Sequence, residues 1–201
     1  MFWIKHIPFD KARGDLKRIY QRIKGPDNNV DNILLSHSLR PHTLKGHMAL
    51  YKSVLHHSGN SLPKWYLEAL GIYVSYLNSC DYCVKHHFNG LKRLWQDKDR
   101  SDLFLAHLSK SREISFFKDH WDLGFYYAKK LTETPQLICK EDITALQHGS
   151  FSDGEILEIN QVVSYFNYAN RTVLGLGVDT HGDILGLSPN NNNDPDNWSH
   201  Q

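Results

Sequence analysis

The sequence predicts an all-α protein, and two observations support this fold class. Apolar residues recur at spacings of three and four along most of the chain, as they do on the buried face of an amphipathic helix. In addition, no segment alternates apolar and polar residues for long enough to be a convincing strand. We therefore expect a helical bundle rather than a mixed α/β fold.

Glycine and proline delimit the helices that are predicted in the first part of the chain, at residues 10–23, 29–37, 41–58 and 63–77. The first helix stops at Gly25-Pro26, a usual way for a helix to end. The approach to Pro41 ends the second. Pro41 and Pro63 begin the third and fourth, because proline is tolerated in the first turn of a helix.

Five further helices are predicted, at residues 80–95, 101–108, 115–131, 140–147 and from 153 onward. Asn78 and Ser79 supply capping side chains for the first of these. The last has the clearest start, because Ser152 as N-cap and Glu155 three residues later form a capping box. From Ser188 the sequence is polar and rich in Asn, so we predict one domain over residues 1–187 and a flexible tail over 188–201.

Length, charge and hydropathy narrow the classes of function. The chain has 201 residues, and 23 Lys and Arg against 22 Asp and Glu give a formal net charge of +1. This balance argues against a nucleic-acid partner, since such a protein usually has a concentrated basic surface. No apolar run approaches the roughly 20 residues of a membrane span, and residues 1–10 lack the basic region and apolar stretch that are typical of a secretion signal. We therefore expect a cytoplasmic protein without a membrane partner.

The residues that can carry chemistry are concentrated in Cys80-Asp81-Tyr82-Cys83 and the helix that follows. Positions 80, 83 and 87 are separated by three and four residues, so both thiols and the imidazole of His87 share one helix face. Cysteines three residues apart in a first turn can approach closely enough to form a disulfide, and the helix N-terminus stabilises a thiolate there. The pattern predicts a redox-active dithiol with a base one turn away.

Glu68 is expected to complete this site from the preceding helix. It lies in line with Trp65 and Ile72 on a mostly apolar stripe, and a carboxylate that faces a core needs a partner. His87 is a suitable partner, directly or through a water. Glu68 would then hold and polarise His87, and His87 would deprotonate Cys83, in the manner of a nucleophile oriented by a third group.

Two other interpretations of the cysteines stay open. Cys80, Cys83 and His87 could supply three ligands of a structural zinc, which would need a fourth, or the cysteines could be an inert buried pair. The chain has no second Cys-x-x-Cys and Cys139 stands alone, as a thiol expected to be free and buried or half-buried. For the redox dithiol we expect neither a metal nor an organic cofactor, because the cysteine pair itself stores both electrons.

Tyr82 and His47 are candidates for lining a pocket near the dithiol. The chain has 13 histidines, so some fall near any motif by chance. A packed, hydrogen-bonded side chain is the stronger expectation for His47. His86 is offset from His87 around the helix and is therefore expected to be exposed.

The arrangement of Glu68, Cys80, Cys83 and His87 in an all-α chain resembles the alkyl hydroperoxidase D-like branch of the carboxymuconolactone decarboxylase family. The resemblance extends over residues 30–178 and is most specific from Glu68 to His87. It implies the helical bundle of that family, with the Cys-x-x-Cys motif at a helix N-terminus.

The resemblance also implies a function. It implies an antioxidant thiol peroxidase or disulfide reductase that acts on alkyl hydroperoxides or on a peroxiredoxin partner and is renewed by a thiol reductant. By this resemblance, Cys83 is the cysteine that attacks the peroxide and becomes a sulfenic acid, and Cys80 resolves it as a disulfide. Glu68 and His87 relay the proton. A homo-oligomer, a trimer or a hexamer, is also implied. At Tyr82 the sequence departs from the best-known members, which have a histidine there.

Two other functions are kept as alternatives. A lyase of the carboxymuconolactone decarboxylase type, acting on a lactone acid, does not need two cysteines spaced for a disulfide. A non-enzymatic redox-sensing protein would be oxidised once and would not turn over. A steady-state assay with peroxide and a thiol reductant distinguishes this last alternative from an enzyme.

Overall fold

The computed structural model describes residues 2–112, 115–117, 120–189, 193–194 and 197–200. These residues form nine α-helices, at Gly14–Ile23 (α1), Asn32–Leu35 (α2), Pro41–Leu55 (α3), Lys64–Leu77 (α4), Asp81–Trp95 (α5), Lys98–Lys110 (α6), Trp121–Glu133 (α7), Lys140–His148 (α8) and Asp153–Leu176 (α9). The described part of the chain contains no strand, so the all-α prediction is confirmed. None of the described helices has both the length and the apolarity to cross a membrane.

Some helix ends differ from those that the sequence predicts. The helix predicted at residues 29–37 is the single turn α2. α6 begins three residues before its predicted start, because Asp97 accepts a hydrogen bond from the backbone N–H of Arg100 and is the N-cap. At α9 the predicted capping box of Ser152 and Glu155 is present.

α4 lies at the centre of the fold. Its side chains are buried on every side from Tyr66 to Ser75, as expected for a helix that other elements enclose. It packs against α5, α7 and α9. The close approach of α9 requires Gly71, since a Cβ atom there would lie 2.1 Å from the ring of Phe166.

Backbone hydrogen bonds fix the turn between α4 and α5. Ser79 has a left-handed φ of 56°. The N–H of Ser79 donates to the carbonyl of Tyr76 (3.0 Å) and the N–H of Cys80 to that of Ser75 (2.8 Å), which is the Schellman pattern at the end of a helix. Cys80 is also the N-cap of α5, so the predicted capping of α5 by Asn78 and Ser79 is wrong. The predicted position of the Cys-x-x-Cys motif at a helix N-terminus is confirmed.

The predicted tail lies partly outside the described residues, which omit Asn190–Asn192, Pro195, Asp196 and Gln201. Of its described residues, Trp198 packs into the apolar core, and the guanidinium of Arg22 lies 4.0 Å from the centre of its ring. His200 is buried and forms a single β-bridge with Pro189. The division into one domain and a flexible tail stays a prediction.

The packing of α4 on α9 is tested by Gly71→Ala. We expect this variant to lower the free energy of unfolding by about 1–3 kcal/mol, because the added methyl group overlaps the ring of Phe166. Gly46→Ala is the matched control on α3, where a Cβ atom would meet no heavy atom within 4 Å. It is expected to stabilise the protein by about 0.5–1 kcal/mol. Urea unfolding measures both variants, and equal effects would contradict the close packing.

Candidate functional site

Cys80 and Cys83 lie together at the start of α5. Their Sγ atoms are 2.8 Å apart, and both are free thiols that are almost fully buried. Cys80 is held by the turn that ends α4, and Cys83 lies in the first turn of α5. The two sulfur atoms are therefore close enough to form a disulfide of about 2.05 Å after small side-chain rotations.

The two thiols differ in acidity. A hydrogen bond from the Cys83 thiol lowers the pKa of Cys80, whereas burial raises the pKa of Cys83 well above its ordinary value. Because the sulfur atoms are in contact, the pair titrates as one unit. After the first proton is lost, the charge lies mainly on Cys80 and the remaining proton on Cys83. The first thiolate to form is thus not on the cysteine to which the resemblance assigns the attack.

Asn170, on α9, is a site residue that sequence analysis missed. It is fully buried, its amide nitrogen donates to Ser75 Oγ (3.0 Å), and its Oδ1 accepts from the amide of Asn78 (2.9 Å). Its side chain lies against both thiols and favours their thiolate forms. A signal was present, because position 170 falls between Phe166 and Val173 on the predicted apolar stripe of α9.

Glu68 and His87 form the expected pair. His87 Nδ1 lies 2.7 Å from Glu68 Oε2, and the carboxylate is buried. The ring of Phe166 meets the His87 ring edge-on at 4.6 Å. Because Glu68 engages Nδ1, Nε2 is the nitrogen that remains to take up or release a proton.

A cavity of about 40 Å³ that opens to solvent lies beside the dithiol. Several of the predicted site residues meet in its wall: Cys83, His87, Glu68, Tyr82 and His47. Cys80 borders two grooves at the surface instead. A molecule in the cavity therefore faces Cys83 and the Glu68–His87 pair, whereas a molecule in a groove approaches Cys80.

His47 is both hydrogen-bonded and part of the cavity wall. Its Nε2 lies 3.4 Å from Tyr165 Oη. Burial, together with nearby His37 and His200, lowers the pKa of His47 to about 3. The imidazole is therefore neutral near pH 7.

Tyr82 and His86 form a second polar cluster with Asp183, which follows α9. Tyr82 Oη donates to Asp183 Oδ2 (2.7 Å), His86 Nε2 lies 3.1 Å from the same oxygen, and the two rings stack at 4.5 Å. The prediction that His86 is exposed is wrong, since it is buried against Asp183 and lines the cavity. Burial and the charge of Asp183 raise the pKa of Tyr82 well above 10, so its hydroxyl acts as a donor.

Asp31 contributes a second carboxyl group to the cavity wall. Its side chain is buried, and its Oδ1 has no hydrogen-bond partner among the described residues. Burial raises the pKa of Asp31 to about 7; nearby His86 opposes this shift and nearby Asp183 adds to it. Nothing in the sequence around Asp31 distinguished it from an ordinary helix-capping aspartate.

The geometry gives no support to the zinc alternative. No three His, Cys, Asp or Glu side chains among the residues that the structure describes are grouped to hold a metal ion. Cys139 is a free thiol as predicted, but it is exposed rather than buried or half-buried. It begins α8, with its Sγ 3.3 Å from Asp142 Oδ2.

The fold and the site together define a class of protein. The chain is an all-helical bundle with a Cys-x-x-Cys dithiol at a helix N-terminus and a glutamate–histidine pair between that helix and the preceding one. Comparison with solved structures shows that this is the alkyl hydroperoxidase D-like fold, as the sequence resemblance implies. No protein-family model matches the sequence, and no curated protein matches it either.

Three solved structures illustrate the likeness. An uncharacterized peroxidase-related protein of Ralstonia eutropha with an alkylhydroperoxidase AhpD core has a TM-score of 0.77 at 18% identity, over 90% of this chain and 93% of its own. An uncharacterized peroxidase-related protein of Silicibacter gives 0.74 at 22%, over 88% and 92%. The debrominase Bmp8, in complex with 2,3,4-tribromopyrrole, gives 0.63 at 15%, over 84% of each chain.

Asp31→Asn is expected to change stability in a pH-dependent way. The pKa of Asp31 rises from an ordinary value of 3.8 to about 7 on folding. As the pH rises from about 4 to about 7, the carboxyl group of Asp31 ionises in the unfolded chain but stays neutral in the folded protein. The free energy of unfolding therefore falls over this window, and the full loss remains above pH 7.

Asparagine does not titrate, so the free energy of unfolding of the variant minus that of the wild type should increase by a few kcal/mol between pH 4 and pH 8. Urea unfolding at several pH values measures this difference. A difference that does not depend on pH would contradict the raised pKa.

Proposed function

We propose that the protein is a thiol-dependent peroxidase that reduces hydroperoxides through a cycle between the Cys80–Cys83 dithiol and its disulfide. One observation carries the proposal. The Cys83 sulfur, 2.8 Å from that of Cys80, lines the same cavity as the hydrogen-bonded Glu68–His87 pair. A nucleophile, a resolving thiol and an oriented base are then within one site.

The cycle begins when His87 takes the first proton of the thiol pair, with Glu68 stabilising the imidazolium. Transfer of the remaining proton from Cys83 to Cys80 gives a Cys83 thiolate, which attacks the terminal oxygen of a hydroperoxide in the cavity. The O–O bond breaks, Cys83 becomes a sulfenic acid, and an alkoxide leaves. Cys80 then attacks the Cys83 sulfur, the disulfide closes, and hydroxide takes the proton of His87 to leave as water. The proton that Cys80 releases balances the one that the alkoxide takes up to become the alcohol.

The two sides of the dithiol suit two different reactants. Cys83 faces the cavity, and Cys80 borders the surface grooves. A thiol reductant or a peroxiredoxin-type partner would therefore attack the disulfide at Cys80. Its second thiol, or a second reductant molecule, completes the reduction.

The charge of the cavity wall favours a small uncharged substrate. In the part of the chain that the structure describes, the residues that line the cavity include neither Lys nor Arg, but they include Glu68 and Asp31. A lactone acid would bring its own carboxylates to this wall without a fixed cation to bind them. An alkyl hydroperoxide carries no such charge, so this wall favours the peroxidase over the lyase.

Reductive dehalogenation of an aromatic compound is a second candidate. A protein of the same fold is a debrominase solved with a brominated pyrrole. In the cavity wall of this chain the rings of Tyr51 and Tyr165 are stacked at 5.5 Å. Replacement of bromine by hydrogen takes two electrons from the dithiol and yields the disulfide, bromide and a proton. Release of bromide from a brominated pyrrole in the presence of a thiol reductant tests this candidate.

The assembly and compartment that we propose are a homo-oligomer, a trimer or a hexamer, in the cytoplasm. Large apolar side chains on the described surface supply contact area, among them Leu103 (64% exposed) and Leu157 (59% exposed). The cytoplasm keeps thiols reduced, which suits a dithiol that must be renewed. Light scattering of the purified protein measures the oligomer, and a monomer would contradict this part of the proposal.

Peroxide titration followed by mass spectrometry tests the order of attack. The wild type should lose about 2 Da as the dithiol closes. Cys80→Ser should form a sulfenic acid at Cys83 that dimedone traps, and Cys83→Ser should form neither product. Trapping at Cys80 instead would reverse the two roles, and a wild type that does not react would exclude the peroxidase.

Removal of the proposed base should slow turnover with little effect on the thiol count. We expect Glu68→Gln and His87→Gln each to lower kcat/KM for a hydroperoxide by about 100-fold or more, the range of general acid–base catalysis. His42→Gln is the matched control at an exposed histidine on α3. A His87→Gln variant as active as this control would remove the imidazole from the mechanism.

A further inference from the structure

Asp31 is a buried carboxyl group that does not cap the helix that it precedes. It occupies the N-cap of α2, where an aspartate usually accepts a hydrogen bond from a backbone N–H of the first turn. Its side chain makes no such bond. Both oxygens of Asp183 accept from the N–H of Asn32 instead, at 3.0 and 3.1 Å, and the hydroxyl of Tyr82 lies 3.1 Å from the N–H of Ile33. The N-terminus of α2 is therefore satisfied without Asp31.

The side chain of Asp31 belongs to the wall of the cavity that Cys83 faces. It is 7% exposed, and its Oδ1 is buried without a hydrogen-bond partner among the described residues. An unpartnered buried carboxylate is costly, so such a group is kept neutral or is matched by a ligand. The ligand that can reach it is a molecule in this cavity.

We propose that Asp31 is the general acid of the site and protonates the oxygen that leaves when Cys83 attacks a hydroperoxide. The inference rests on the proposed peroxidase function and adds to it a reacting group outside the cysteine motif. An alkoxide is a strongly basic leaving group. A proton donor in the wall of the same cavity lowers the barrier to its departure.

The step balances in atoms and electrons. The Cys83 thiolate forms an S–O bond with the terminal oxygen while the O–O bond breaks, so sulfur is oxidised by two electrons and the alkoxide oxygen is reduced. The proton of Asp31 converts the alkoxide into the alcohol. When Cys80 closes the disulfide, its proton passes to solvent, from which Asp31 is reprotonated.

The surroundings of Asp31 single it out among the acids of the site. Glu68 is engaged with His87, and Asp183 with Tyr82 and His86. The raised pKa of Asp31, about 7, leaves a substantial fraction of the carboxyl protonated near neutrality. The other titratable groups in the cavity wall are spread over several elements: His47 and Tyr51 on α3, Cys83 on α5, Tyr165 on α9, and His200.

The decisive experiment varies the leaving group. tert-Butyl hydroperoxide releases an alkoxide, which needs a proton, whereas peracetic acid releases acetate, which does not. For Asp31→Asn we expect the single-turnover rate of disulfide formation with tert-butyl hydroperoxide to fall by about 100-fold or more. With peracetic acid we expect a change of less than about threefold, because no acid is needed. Asp27→Asn makes the same substitution at an exposed position and should leave both rates unchanged.

Each other outcome has a distinct meaning. Equal losses with both oxidants would assign Asp31 a structural role and overturn the proposal, and so would the absence of any loss. Asp31→Glu retains a carboxyl group and should recover part of the rate with tert-butyl hydroperoxide, which keeps the test valid if the asparagine variant does not fold. If the wild type reduces neither oxidant, the peroxidase function itself fails, which differs from a loss confined to the variants.

Discussion

The buried carboxylate of Glu68 can remain in the core because His87 pairs with it, and the other parts of the site depend on this bond. A buried charge that loses its partner costs several kcal/mol, so the pair fixes α5 against the central helix α4. The Schellman turn before Cys80 sets where α5 begins and therefore where both thiols lie. α9 closes the arrangement, because Gly71 lets the ring of Phe166 reach His87.

The buried carboxyl groups of the site differ in whether a histidine pairs with them. Glu68 and Asp183 each have a histidine partner, whereas Asp31 Oδ1 has no hydrogen-bond partner among the described residues and the carboxyl is held partly neutral. The low polarity of the surroundings strengthens each of these interactions. Tyr82, at the position of the family's histidine, donates its hydroxyl to Asp183 and cannot serve as a base near neutral pH. In the mechanism that we propose, Asp31 carries the proton chemistry on this side of the cavity.

Local periodicity predicted much of the fold and half of the site. Spacings of three and four place Cys80, Cys83 and His87 on one face, and a carboxylate on an apolar stripe identified Glu68. The same argument applied to Asn170 would have found it. Asp31 could not be recognised, because its local context is that of a helix cap and the actual cap comes from a residue 151 positions away from Asn32.

The same long-range contact explains why His86 was misplaced. On an isolated helix its offset from His87 directs it away from the site, but the segment that carries Asp183 covers that face of α5. Long-range loops thus supply the part of the cavity wall that helical periodicity cannot foresee. The dithiol lies on the helices, whereas part of the cavity wall lies on such loops. Residues that select the substrate can therefore change without altering the dithiol.

The make-up of the cavity wall bears on which of two substrates, a hydroperoxide or an aryl halide, suits the site. A dithiol facing a cavity can deliver two electrons either to a peroxide bond or to a carbon–halogen bond, and a debrominase shares this fold. The two reactions differ at the atom that leaves: a halide departs unaided, whereas an alkoxide needs a proton. A wall carboxyl that burial keeps partly protonated near neutrality can donate that proton to the leaving alkoxide, whereas in debromination the proton is needed at the ring carbon. The two substrates therefore differ in where the proton of Asp31 would have to go, and the role that we propose for Asp31 is specific to an oxygen leaving group.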